Sequence, residues 1–122
     1  MGKGNSNIGV DLGGTNMRAG RIMDGILVAK NTIPTPKQAK SCEETLSALI
    51  NVIRSVWDDG VKAIGIGVPS VVDRKSGIVY NVVNIPHWEE VHLKEILEKE
   101  FSVPVHIDND ANCFALGERI FG

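Results

Sequence analysis

With 122 residues, 43% of them apolar and 23% charged, and a formal net charge of −2, the chain has the size of one domain able to bury its own core. No block of basic residues offers a footprint for nucleic acid or anionic lipid, and no apolar run approaches the ~20 residues of a membrane span, so neither nucleic acid nor membrane is an expected partner. Cys42 and Cys113 lie far apart without a C-x-x-C, which speaks against a disulfide framework or a zinc site and predicts a reducing, cytoplasmic setting.

The start, MGKGNSN, has no apolar signal core. It matches the loose myristoylation pattern through Ser6, but short disordered starts do the same, and residues 1–7 are read as one. NIGVDLGG then predicts a strand, MRAGRIM a second and ILVAKNTIP a third. Their joints, GGTN and Asp24-Gly25, suit tight turns, so the three form an antiparallel meander, ended by Pro34 and Pro36, which cannot donate to a ladder. Ser41 and Glu44 make a capping box for a helix whose Leu46, Leu49, Ile50, Ile53 and Trp57 share a face. Asp58-Asp59-Gly60 stops it. VKAIGIGVPS predicts a buried strand and GIVYNVV, after a Ser76-Gly77 turn, a shorter one. HLKEILEKEF is a second helix burying Leu93, Ile96, Leu97 and Phe101; VPVHID is again a strand, and DANCFALGERIF begins a third helix. The order predicts an α/β fold, a mixed sheet of about five strands with helices on its faces.

Residues 9–16, GVDLGGTN, are nearly a phosphate loop of the G-x-x-x-x-G-K-[ST] kind, but Thr15 stands where the lysine belongs. Gly13 and Gly14 let backbone N–H groups approach a ligand, and Thr15 and Asn16 add a hydroxyl and an amide. Asp11, at the end of the first strand, could bind Mg²⁺ directly or through water. A plain hairpin with a solvent-facing aspartate is the competing reading of this loop. A carboxylate inside an apolar strand favours function, because burying it unpaired is costly.

A second signal is HIDNDANCFALGE, where Asp108-Asn109-Asp110 closes a strand at the carboxyl edge of the sheet, the place where open α/β sheets bind ligands. Asp110 alone could be a helix cap. Three adjacent polar side chains exceed what a cap needs, and a carboxylate there could take a proton from a hydroxyl while Asn109 holds a neighbouring one. VPSVVD and NIPHW contribute Ser70, Asp73, Asn84 and His87, a patch that by itself reads as a loop with a proline turn.

GVDLGGTNMRAG resembles the first phosphate motif of the ROK sugar kinases, IGVPSVVD with GIVYNVVNIPHW their central segment, and VHIDNDANCFALGE their catalytic segment. The resemblance runs from Ile8 to the end and implies the N-terminal lobe of an actin-like ATPase fold of the ribonuclease-H kind. It implies Asp110 as catalytic base, Asn109, Asn84 and Ser70 toward the sugar, and Gly13, Gly14, Thr15 and Asn16 toward the phosphates of ATP, with Asp11 near Mg²⁺. The activity it implies is transfer of the γ-phosphoryl of ATP to a hydroxyl, at carbon six, of a hexose or N-acetylhexosamine, by a homo-oligomer.

Family members have two lobes. The adenosine loop, further sugar contacts and a cysteine-rich structural zinc motif are expected only in the C-terminal lobe, and His87, His92 and His106 lack the spacing to replace that zinc site. The chain by itself is therefore expected to phosphorylate no sugar. ROK-type transcriptional repressors are the alternative; they carry a DNA reader ahead of the first strand, for which the seven residues before Ile8 leave no room. A dinucleotide-binding domain fits worse, since GVDLGGTN leads into a strand and lacks G-x-G-x-x-G opening a helix.

Overall fold

The computed structural model describes residues 5–109. The meander is formed by β1 (Ser6–Leu12), β2 (Asn16–Met23) and β3 (Ile26–Pro34), paired antiparallel in sequence order. Asp24 (φ 53°) and Gly25 (φ 76°) both take positive φ at the second joint, which is the requirement of a type I′ hairpin turn. β1 starts at Ser6: the Ser6 N–H donates to the Gly60 carbonyl at 2.9 Å, and Ser6 pairs with Met23 on one side and Val61 on the other.

Helix α1 (Cys42–Ser55) is capped by Ser41, whose Oγ accepts from the Glu44 N–H at 3.3 Å, one half of the expected capping box. Leu46, Leu49, Val52 and Ile53 are buried. The helix ends at Ser55, before the Asp58-Asp59-Gly60 stop, so Trp57 leaves the helical face and stacks on Phe101 at 5.0 Å between ring centroids. Arg21 Nε donates to the Val56 carbonyl at 2.8 Å and ties β2 to this end of the helix.

The chain then enters the middle of the sheet. β4 (Val61–Gly67) lies parallel to β1, pairing Ile8 with Ile64 and Val10 with Ile66. Next come three short strands, β5 (Val71–Asp73), β6 (Ile78–Tyr80) and β7 (Glu90–Val91), which make a separate antiparallel sheet in that order. VPSVVD was expected as a loop; its last three residues are β5, too short for a period-two pattern to register. The Ser76-Gly77 turn before β6 is as expected: Gly77 has φ 68°, and a Cβ there would lie 2.1 Å from the Lys94 Cβ. Helix α2 (Leu93–Phe101) buries Leu93, Leu97 and Phe101, and β8 (Val105–Asp108) returns parallel to β4.

The main sheet thus reads β3-β2-β1-β4-β8, the predicted five-stranded mixed sheet. Its fully buried Ile8, Val10, Leu12, Ile64 and Ile66 join Leu49 and Ile53 of α1 and Leu97 of α2 in one core, each contributing roughly 1.5–3 kcal/mol. The third helix expected over DANCFALGERIF, and Asp110 with it, lies outside the described residues. No helix among the described residues is long and apolar enough to cross a membrane.

Candidate functional site

Because β1, β4 and β8 run parallel, their carboxyl ends meet at one edge, and Asp11, Gly67 and Asp108 stand in register across it. At a strand spacing of about 4.8 Å the two aspartate backbones are about 10 Å apart, with a glycine between them. Each carboxylate has an arginine. Arg18, opposite Asp11 in the β1–β2 register, donates from Nη2 to Asp11 Oδ2 at 2.9 Å. Arg74 Nη2 donates to Asp108 Oδ1 at 2.9 Å and reaches Asn109 Oδ1 at 3.5 Å. The arginine side chains are 49% and 67% exposed, and ion pairs of this kind contribute about 0–1 kcal/mol, so a ligand or cation can displace them.

The β1–β2 joint is closed by the Gly13 N–H donating to the Asn16 carbonyl at 3.0 Å. It is braced from behind by Thr35, which is 2% exposed. The Thr35 N–H donates to the Thr15 carbonyl at 2.9 Å and its hydroxyl to the Gly13 carbonyl at 2.6 Å. In front, the β6–β7 loop comes so close that a Cβ on Gly14 would lie 2.6 Å from the Asn84 Cβ and 3.4 Å from the Val83 carbonyl oxygen. Only glycine permits that approach. Asn84 itself has φ 64°, flanked by Asn81 (φ 47°) and His87 (φ 67°), all in the left-handed region that non-glycine residues seldom occupy. Between the two loops lies a cleft of about 540 Å³ lined by Gly14, Thr15, Lys37, Asn84, Ile85 and Pro86. Its volume suits a small-molecule ligand.

Of the candidate residues, Gly14, Thr15 and Asn84 therefore share one cleft. Gly13 forms the turn behind it, and Asn16 is exposed at the start of β2. Asn109 is exposed at the sheet edge beside Asp108, donating its N–H to Asp108 Oδ1 at 2.6 Å. Ser70 stands apart from the cleft lining, its N–H bonded to the Val68 carbonyl and its hydroxyl to that of Val71. Asp73 staples its own turn, accepting from the Lys75 and Ser76 N–H groups. His87 is exposed. Lys37, Ile85 and Pro86 were missed: TPK, residues 35–37, read only as the end of the meander, and only the fold shows that it lies against the loop.

Among the described residues no group of three His, Cys, Asp or Glu side chains could enclose a metal ion. A Mg²⁺ ion needs less than that: one or two carboxylates, completed by water and phosphate oxygens, and Asp11 could supply one in exchange for Arg18.

The chain is 40% identical over 118 residues to a glucokinase of Thermotoga maritima, covering 94% of this chain and 37% of that one. Over 63 residues it is 46% identical to a xylose repressor of Caldicellulosiruptor bescii, covering 52% of this chain and 16% of the repressor. Its fold superposes with a TM-score of 0.79, at 33% identity, on a ROK family glucokinase from Streptomyces griseus solved in complex with glucose and AMPPNP, covering 97% of this chain and 37% of that one. The chain thus spans little more than a third of the glucokinases that it matches. Residues 7–122 match the ROK family; with the five-stranded mixed sheet of the actin-like ATPase architecture, the chain belongs to that family.

Proposed function

We propose that the protein containing this chain is an ATP-dependent sugar kinase and that the chain is its N-terminal lobe. What supports this most is the contact between Gly14 and Asn84, since one cleft then serves both the glycine loop and the asparagine. The glucokinase relatives, one of them holding glucose and an ATP analogue, point the same way.

In this reading a hydroxyl of a hexose or N-acetylhexosamine, at carbon six, attacks the γ-phosphorus of ATP. Its proton passes to the Asp110 carboxylate, the bond from γ-phosphorus to the bridging oxygen breaks, and ADP leaves with that electron pair. Asn109, Asn84 and Ser70 orient the sugar. The backbone N–H of Gly14, in the turn that Gly13 closes, and Thr15 and Asn16 hold the phosphates, and Asp11 holds Mg²⁺ directly or through water. The bound Mg²⁺ neutralises phosphate charge. The transition state of such a transfer is loose, so positioning and charge stabilisation carry the catalysis.

The deciding experiment is an assay of the full-length protein for ADP release over a panel of hexoses and N-acetylhexosamines. Turnover with at least one of them, dependent on ATP and Mg²⁺, is the expected result; none with any sugar overturns the reading. The xylose repressor relative supports a second reading, a sugar-sensing lobe of a regulator. That reading predicts stabilisation by a sugar in a thermal-shift measurement with no ADP release.

A further inference from the structure

We propose that Lys37 is the phosphate-binding cation of the cleft, supplied to the glycine loop from the β3–α1 connection. The inference rests on the kinase reading above and extends it to a residue outside the loop's own motif. A glycine loop of the G-x-x-x-x-G-K-[ST] kind brings a lysine with it, yet Thr15 and Asn16 occupy the last two positions here and carry no charge. The carboxylate that precedes the loop, Asp11, is bonded to Arg18, so the loop itself offers an anion no net positive charge. Lys37 lines the same cleft as Gly14 and Thr15, and it is the one ionisable side chain among the described residues lining it. A positive charge on this wall of the cleft favours an anion beside the glycine loop.

The means of delivery is also visible. Thr35, two residues before Lys37, spends both its N–H and its hydroxyl on carbonyls of the loop, those of Thr15 and Gly13. These two bonds lock the segment against the loop and turn the loop's acceptors away from an incoming anion. Pro34 and Pro36 flank Thr35 and fix φ on either side, so the segment has little freedom to swing Lys37 elsewhere. Lys37 is exposed, and no carboxylate among the described residues pairs with it. Thr35 is thus a positioning residue and Lys37 the ligand-contacting one.

The test uses the full-length protein with Lys37→Met, Lys37→Arg and Thr35→Val. Binding of inorganic triphosphate and of ATP·Mg²⁺ is measured by calorimetry at two salt concentrations, and KM for ATP and for the sugar is measured alongside. Losing one charge-assisted contact should weaken triphosphate binding and raise the KM for ATP on the order of tenfold in Lys37→Met, with a shallower salt dependence and the sugar KM within about twofold. Lys37→Arg should recover most of the loss. Thr35→Val should shift the same quantities by about threefold while the protein stays folded by circular dichroism. Unchanged triphosphate affinity in Lys37→Met overturns the proposal, as does a rise confined to the sugar KM, which would make Lys37 a sugar contact. If the wild type releases no ADP with any sugar, the kinase reading fails, and triphosphate binding still decides: Lys37-dependent binding upholds the anion site, and its absence removes it.

Discussion

The two sheets of this molecule are held in different ways. In the five-stranded sheet the central strands β1 and β4 bury most of their apolar side chains, with Val10, Leu12, Ile64 and Ile66 at 0% exposure. The three-stranded sheet packs one face only: Val79 and Val91 are buried, while Val71 stands 71% exposed. Its connecting loop holds Asn81, Asn84 and His87 at positive φ within seven positions. Regular backbone in the large sheet fixes where the carboxylates of Asp11 and Asp108 end. Strained backbone beside the small sheet brings Asn84 against Gly14, so the cleft wall depends on contacts between loops and little on ladder hydrogen bonds.

The sharpest test of this division of labour is to change the two proposed site carboxylates in the full-length protein. Asp110→Asn is expected to lower turnover 10²- to 10⁴-fold, about 3 to 5 kcal/mol of barrier, with sugar affinity little changed. Asp11→Asn should instead raise the Mg²⁺ and ATP concentrations required. Steady-state kinetics in both variants checks the pair, and near-wild-type turnover in Asp110→Asn would leave that residue as a helix cap.

Stability should divide along the same line. Leu49→Ala, in the core of the large sheet, is expected to cost about 2–5 kcal/mol by urea unfolding, whereas Val71→Ala on the open face should cost less than about 0.5 kcal/mol. Gly14→Ala tests the seam: with no room for its Cβ, one loop must retreat, at roughly 1–3 kcal/mol. The KM values for sugar and ATP should then rise together, and a rise in only one would show that the two loops act separately. His87→Gly should leave the unfolding midpoint unchanged or raise it by up to about 1 kcal/mol of stability, since glycine removes the left-handed strain. The same change at Ala19, inside β2, should lower it.

The smallest effect concerns Cys42, at the start of α1. Partial burial, and then the neighbouring Glu43 carboxylate, raise its thiol pKa above the ordinary value of 9.0. A raised folded-state pKa means that the thiol's contribution to stability is whole below the unfolded pKa and is lost as the pH rises through the folded one. Alkylation of the folded protein by iodoacetamide should accordingly lag behind that of the urea-unfolded chain at pH 8 to 9, roughly the range in which an ordinary thiol begins to ionise.

What could be read from the sequence follows the same contrast. The turn-bounded stretches of the first three strands, the Asp24-Gly25 turn and the Ser41 cap are local signals, and each produced the expected element. The strands β5 and β7 have three and two residues, too few for any period to show. Gly14, Thr15 and Asn84 could be chosen as candidates by residue type, but that Asn84 presses on Gly14 depends on three left-handed residues that no local rule demands. Lys37 was invisible for a related reason. Its meaning lies in the two hydrogen bonds of Thr35, which join segments distant in the chain.

The position of β1 also bears on how the chain is born. One edge of β1 is satisfied by β2, which follows it directly, but the other waits for β4, which is complete only at Gly67. On a ribosome adding about 5–20 residues per second, the meander can close several seconds before that partner strand emerges. During this interval Ile8 and Val10 sit on an open edge, with the backbone between them ready to accept any extended strand. Slower translation between residues 35 and 67 lengthens the exposure and gives a neighbouring nascent copy more time to take the place meant for β4.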